Sequence, residues 1–90
     1  MKKIKQIKLS VEPEQVIEIP LLAEFFAFSS PAGTPTVAYI VDDSYRTTKK
    51  VFYIFRDGAE IPQRLNRTNY IGEFELKAEV GQTTLYVFQE

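Results

Sequence analysis

Four arginines, Arg46, Arg56, Arg64 and Arg67, carry the groups best suited to recognition chemistry in this chain. A guanidinium binds phosphate or carboxylate through directed pairs of hydrogen bonds. All four fall at the end of an expected strand or in a loop, where sites are usually carried on a rigid scaffold. The stretch Arg64-Leu65-Asn66-Arg67-Thr68-Asn69-Tyr70 adds amide and aromatic groups to the cations. That mixture suits a small anion such as a nucleotide, or the acidic loop of a protein partner, and makes Tyr70 the fifth candidate binding residue. The plainer alternative for any single arginine is a surface pair with Glu60 or Glu73.

Catalytic chemistry has little to work with. The chain contains no His and no Cys, the two groups most often used as base or nucleophile near neutral pH, and the usual ligands of structural zinc. The pair Asp42-Asp43 lacks the ordered oxygen set of a calcium loop. Glu73 and Glu75 stand two residues apart on one strand face, roughly 7 Å between Cα atoms, a spacing that paired-carboxylate hydrolysis can use. A Glu-x-Glu-x-Lys face is also what keeps an exposed strand soluble and unpaired, and this reading is preferred. The expectation is a protein that is not an enzyme, with no catalytic residues, no metal and no cofactor. Asn66-Arg67-Thr68 matches a glycosylation sequon, which matters only in a secreted eukaryotic protein.

The elements that must position these groups are strands. Ninety residues support one core and one domain, residues 1–90, and 44% apolar residues, seven Phe and five Tyr are enough to build it. Short β-branched and aromatic runs separated by Pro, Gly, Asp and Ser predict strands over Ile4 to Ser10, Gln15 to Ile19, Glu24 to Ser29, Thr36 to Val41, Lys50 to Arg56, Asn69 to Lys77 and Thr83 to Gln89. The fold class is all-β, a small antiparallel sandwich or partly open barrel of about six to seven short strands. Pro20 to Glu24 is the one stretch that suggests a helical turn. Asp57-Gly58 and Gly81 offer the positive φ of tight turns. Asp42 to Lys49 reads as an exposed, mobile hairpin tip, and Ile61 to Thr68 as an irregular crossover.

Alternation along the strands separates two kinds. Tyr70, Gly72, Phe74 and Leu76 share one face while Ile71, Glu73, Glu75 and Lys77 share the other, the period of a half-solvated strand. Val37 to Val41, Val51 to Phe55 and Leu85 to Phe88 are apolar on both faces and need cover on both sides. A second sheet, a crossing segment or another copy of the chain can supply it, so a homo-oligomer, most simply a dimer, is expected. The aromatic residues Tyr39, Phe52, Tyr53, Phe55, Tyr86 and Phe88 lie inside these strands and read as core or interface rather than as a base-stacking platform.

Net charge is −1, without the cationic surplus of a nucleic-acid binder, so nucleic acid is disfavoured as a partner. Lys2, Lys3, Lys5 and Lys8 crowd the first strand and Glu73, Glu75 and Glu79 come late, which suggests neighbouring strands with complementary solvent faces. Lys8, Glu12 and Glu14 interrupt what would be the apolar part of a signal peptide, and no run approaches the roughly 18 apolar residues of a membrane span. With no Cys for disulfides, the expected location is the cytoplasm, with no membrane association.

The order of motifs resembles a family of small uncharacterised phage and prophage proteins, a domain of unknown function. The resemblance rests on Ile17-Glu18-Ile19-Pro20, Ala23-Glu24-Phe25-Phe26 and Gly33-Thr34-Pro35 leading through Tyr39 to Val41-Asp42. It continues through Asp57-Gly58-Ala59-Glu60-Ile61-Pro62, Tyr70-Ile71-Gly72-Glu73-Phe74 and Leu85-Tyr86-Val87-Phe88-Gln89-Glu90. It spans nearly the whole chain from residue 15 onward. The chain departs from the family pattern at Tyr39, where Trp is frequent, at Asp57, where Thr is usual, and at Tyr86-Val87, near an expected His. The resemblance implies a compact phage-encoded protein made in the host cytoplasm, and brings no catalytic residues. The leading expectation is therefore a non-enzymatic binding protein that acts on a host component, such as an inhibitor of host antiviral defence. A second is an oligomeric module that binds or sequesters a small anionic ligand, such as a nucleotide signal, through Arg56, Arg64, Arg67 and Tyr70. A third is a minor virion or assembly protein.

Overall fold

A computed structural model describes residues 1–42, 44–78 and 81–90, the side chain of Ala78 excepted. Asp43 of the Asp42-Asp43 pair, and Glu79, lie outside the described residues. The described chain is β1 (Lys2–Lys8), β2 (Glu14–Pro20), β3 (Glu24–Ser29), β4 (Thr36–Asp42), β5 (Thr47–Arg56), β6 (Tyr70–Ala78) and β7 (Gly81–Gln89), with short 3-10 turns at Pro31–Gly33 and Arg67–Asn69. One sheet has the order β1-β4-β3 and the other β2-β5-β7-β6, with all pairings antiparallel. The two sheets form an open sandwich, not a closed barrel. No helix among the described residues is long and apolar enough to cross a membrane.

The core follows from alternation. Phe52, Ile54, Leu85, Val87 and Phe74 face inward from the larger sheet and meet Val37 and Leu9 from the other side. Ile19, Tyr39 and Val41 continue the core toward the far end, and Ile7, Ile17 and Phe25 pack against both groups. Phe25 joins the sheets through its ring, 5.9 Å from Tyr39 and 5.6 Å from Phe52 between centroids. At the other end β3 comes so close to β6 that a Cβ on Gly72 would lie 2.6 Å from the Phe28 ring, so only glycine fits there.

The two-faced strands are covered in an unequal way. β5 and β6 both run antiparallel to β7, which lies between them, so the chain leaving β5 must return across the sheet before β6 begins. Residues 57–69 make that return, beginning with a turn at Gly58, φ 82°, where the Ala59 N–H reaches the Arg56 carbonyl. They cross the outer side of the sheet, because Arg64 touches Tyr53 there, and Leu65 is buried within the crossover. The aromatic outer face of β5 and β7, with Tyr53 stacked on Phe55 and Phe55 edge-on to Phe88, is thus covered in part by the chain itself. Among the described residues no such crossover covers the smaller sheet: Ile4 on β1, opposite half-buried Ile40, is 69% exposed.

Several sequence expectations need correction. Asp42 to Lys49 is not a hairpin tip, since β4 and β5 belong to different sheets and β5 begins at Thr47, where Thr47 to Lys50 pair with β2. Polar composition hid this half of the strand, whose Lys49 stands opposite Glu18. Pro20 to Glu24 makes a tight turn rather than a helical one, with Leu22 at φ 67° and the Leu21 N–H bonded to the Arg46 carbonyl. The lysine-rich β1 does not neighbour Glu73 and Glu75: its partner is β4, in the opposite sheet. Tyr70 does not share a face with Gly72 and Phe74, because a bulge at Ile71 turns it outward, opposite Phe88.

Candidate functional site

Two register shifts interrupt the otherwise regular ladders, and both are on edge strands. On β3 the pairing with β4 jumps from Phe25 to Ala27, leaving Phe26 as the extra residue; on β6 the pairing with β7 jumps from Tyr70 to Gly72, leaving Ile71. A bulge bends its strand and re-aims side chains, and bulges concentrate beside functional sites. Here Phe26 and Ile71 line one groove of about 400 Å³ where the sheets' edges face each other. Phe25 and Phe28 from β3 add aromatic wall, and Phe26, 53% exposed, stands open to solvent.

The polar part of the groove comes from Thr68, Tyr70 and Gln89. Gln89 follows Leu85 and Val87 on the inward parity of β7 but is only partly buried at the strand's end. Its Oε1 is buried and accepts no hydrogen bond, the only such side-chain atom among the described residues. The Tyr70 hydroxyl donates to Glu73 Oε1 at 2.7 Å, and burial, with that hydrogen bond second, pushes its pKa up to about 12. Thr68 Oγ1 donates to Asn66 Oδ1. The remaining lining residues, Ala23 and Ala27, complete a surface without a charged side chain. No group in it titrates near neutral pH, so the arrangement offers apolar and aromatic contact rather than proton transfer.

A set of polar contacts fixes the crossover that brings Thr68 and Tyr70 to this place. Asn66 caps the Arg67–Asn69 turn, accepting from the Thr68 N–H at 2.9 Å, while Asn69 Oδ1 accepts from the Asn66 N–H. Asn69 Nδ2 donates to the Gln89 carbonyl at 3.0 Å and ties the turn to β7. One residue on, Glu90 accepts from Arg64 Nε and from the Tyr53 hydroxyl, and Arg64 also donates to Tyr53 at 2.8 Å. The Arg64 hydrogen bond, followed by that of Tyr53, holds the Glu90 carboxyl below its usual range; Glu90 first, and then burial, raises Tyr53.

The chain is a member of the family described as Domain of unknown function (DUF7352). The family's model matches residues 1–90. No curated protein and no solved structure matches the chain.

Within this DUF7352 domain the five sequence-selected residues do not form one site. Arg46 precedes β5 and Arg56 ends it, on the order of 30 Å apart along an extended strand. Arg56 lines a different, more apolar hollow of about 480 Å³ together with Val11, Phe55 and Leu85. Arg64 is paired with Glu90, not with Glu60 or Glu73. Arg67 is exposed at the start of the turn that carries Thr68, and Tyr70 alone reaches the groove. Phe25, Phe26, Phe28, Ile71 and Gln89 were missed as a group. The parity of Gln89 was a readable signal; the two bulges that assemble the rest were not.

Proposed function

We propose that this domain is a non-enzymatic binding protein whose groove between the edges of β3 and β6 receives a segment of a host protein. The observation that carries the reading is the pair of bulges that aim Phe26 and Ile71 into one neutral, aromatic-walled groove. Aromatic side chains in solvent-facing hollows are the usual anchoring points of protein recognition. The family resemblance supports a phage or prophage origin, and with it a cytoplasmic partner belonging to the host, with a component of antiviral defence as the leading candidate. Self-association through the uncovered face of β1 and β4 is a separate part of the proposal, supported by exposed Ile4 beside Ile40. Small-anion sequestration has weaker support, because the arginines are dispersed and no cation lines the groove.

The test is crosslinked capture from host lysate with the wild-type protein and with Phe26→Asp. Capture of one polypeptide by the wild type, lost in the variant at unchanged melting temperature, is the expected outcome. Equal capture by both proteins, or none by the wild type, overturns the reading.

A further inference from the structure

The edges of the two sheets are not alike. β3 and β6, which meet at one flank, are interrupted by bulges, a common guard of an exposed edge. β1 and β2 end the sheets at the other flank, and each pairs with its neighbour in unbroken register. Among the described residues neither has a strand on its outer side. Residues 9–13 join them across the layers, where the Ser10 N–H donates to Gln15 Oε1 and Gln15 Nε2 donates to the Ser10 carbonyl. The two strands therefore run in opposite directions in different sheets.

The ladders decide which backbone groups face outward. The Leu9 N–H donates to the Pro35 carbonyl and the Ile54 N–H to that of Pro13, contacts that extend the β1-β4 and β2-β5 registers by one residue each. In both strands the odd-numbered residues thus bond toward the sheet. Antiparallel ladders alternate, so the N–H and C=O groups of the even-numbered residues point to the open edge. These residues are Lys2, Ile4, Gln6 and Lys8 on β1, and Glu14, Val16 and Glu18 on β2. Ile4 and Val16 are both exposed. Set antiparallel with Ile4 across from Val16 of a second copy, the edges match in backbone phase, and Lys2 stands across from the partner's Glu18. Apolar pairs and opposite charges directly across a ladder both stabilise it. The lysines that deter most strands from adding to β1 select an acidic one. Lys3 and Lys5, of the other parity, have stems long enough to carry their charge to water beside the seam.

We infer that two copies of the chain join at this flank, β1 of each adding to β2 of the other about a two-fold axis parallel to the strands. Because the two edges belong to different layers, both seams form together. Each seam makes one continuous seven-stranded sheet from the three strands of one copy and the four of the other. The contact is isologous and closes at two copies. This inference rests on the self-association reading and specifies that the second copy reaches Ile4 from the side, along the strand edge, and not from above the face. The groove between β3 and β6, at the opposite flank, stays open in the dimer.

The chain contains no cysteine, so introduced thiols can be crosslinked without background. The double variant Ile4→Cys/Val16→Cys, treated with a short bifunctional maleimide, is expected to be trapped as a covalent dimer. Neither single variant is expected to be trapped, because the seams pair position 4 with position 16 and keep like positions in opposite layers. In sedimentation equilibrium Glu18→Lys is expected to weaken the dimer about tenfold, since both seams carry the change, and adding Lys2→Glu to the same chain is expected to restore it. Restoration is a readout that damage to the fold would not give. Trapping of Ile4→Cys alone overturns the edge inference and moves the contact to the outer face of β1 and β4, with self-association left standing. No trapping of the double variant, or no recovery in the charge exchange, overturns the edge inference as well. A wild type that is monomeric by native mass spectrometry overturns self-association together with it.

Discussion

Replacing Gln89 by leucine should make the protein more stable. In the native state Gln89 Oε1 is desolvated without a hydrogen bond, a situation worth roughly 1–3 kcal/mol of lost stability. Leucine at the same inward position would extend the apolar surface of Leu85 and Val87, and the Asn69 contact to the Gln89 backbone carbonyl would survive. Residue 89 is only partly buried, so the lower part of that range applies, about 1 kcal/mol. For a domain of this size that corresponds to a rise in melting temperature of roughly 4–8 °C. Urea denaturation should move its midpoint upward with an unchanged slope, since the surface exposed on unfolding is nearly the same. Gln89→Glu, which places a charge in a neutral groove, should move both in the opposite direction. A Gln89→Leu protein that melts below the wild type would show that the amide is satisfied in solution and would refute the reasoning.

Gly72→Ala places a methyl group 2.6 Å from the Phe28 ring and should cost about 1–3 kcal/mol through overpacking; thermal melts should show Phe28→Leu recovering part of that loss. Glu90→Gln should be less stable than the wild type at neutral pH. Because the native Glu90 carboxyl titrates below its ordinary value of 4.5, the stabilisation is complete above that value and is lost as pH falls through the depressed one, so the two melting curves should converge only in acid. Tyr70, raised to about 12 from 10.0, should remain protonated at pH values where a free tyrosine ionises, as read by ultraviolet difference titration. The stability linked to its raised pKa is complete below pH 10 and falls as pH rises toward 12; Tyr70→Phe should remove this dependence. Native mass spectrometry should record a dimer that Ile4→Lys converts to a monomer; a monomeric wild type would contradict self-association.

The sandwich was legible because its strands obey a period of two: Leu85 and Val87 inward, Glu73 and Glu75 outward. Turn chemistry was equally readable at Asp57-Gly58. What could not be read were the interruptions of that period. An extra residue in a strand leaves composition unchanged, yet it moved Tyr70 from the core face to the outer face and placed Phe26 at an edge. Polar strand residues hid the first half of β5, since Thr47 to Lys50 gain their partners only from β2. The arginines drew attention by their chemistry, but their spacing along β5 and its crossover keeps them apart. The groove depends instead on neutral residues from three distant parts of the chain, which no local pattern brings together.

The most direct test of the binding groove is site-specific photocrosslinking in the host. A photoreactive amino acid at Phe26 is compared with the same group at Ile4, also exposed but on the outer face of the smaller sheet. The groove account predicts that position 26 forms a crosslink to one host polypeptide and that position 4 does not reach it. A host polypeptide crosslinked from position 4 and absent from position 26 would contradict the account and move the binding surface to the outer face of β1 and β4.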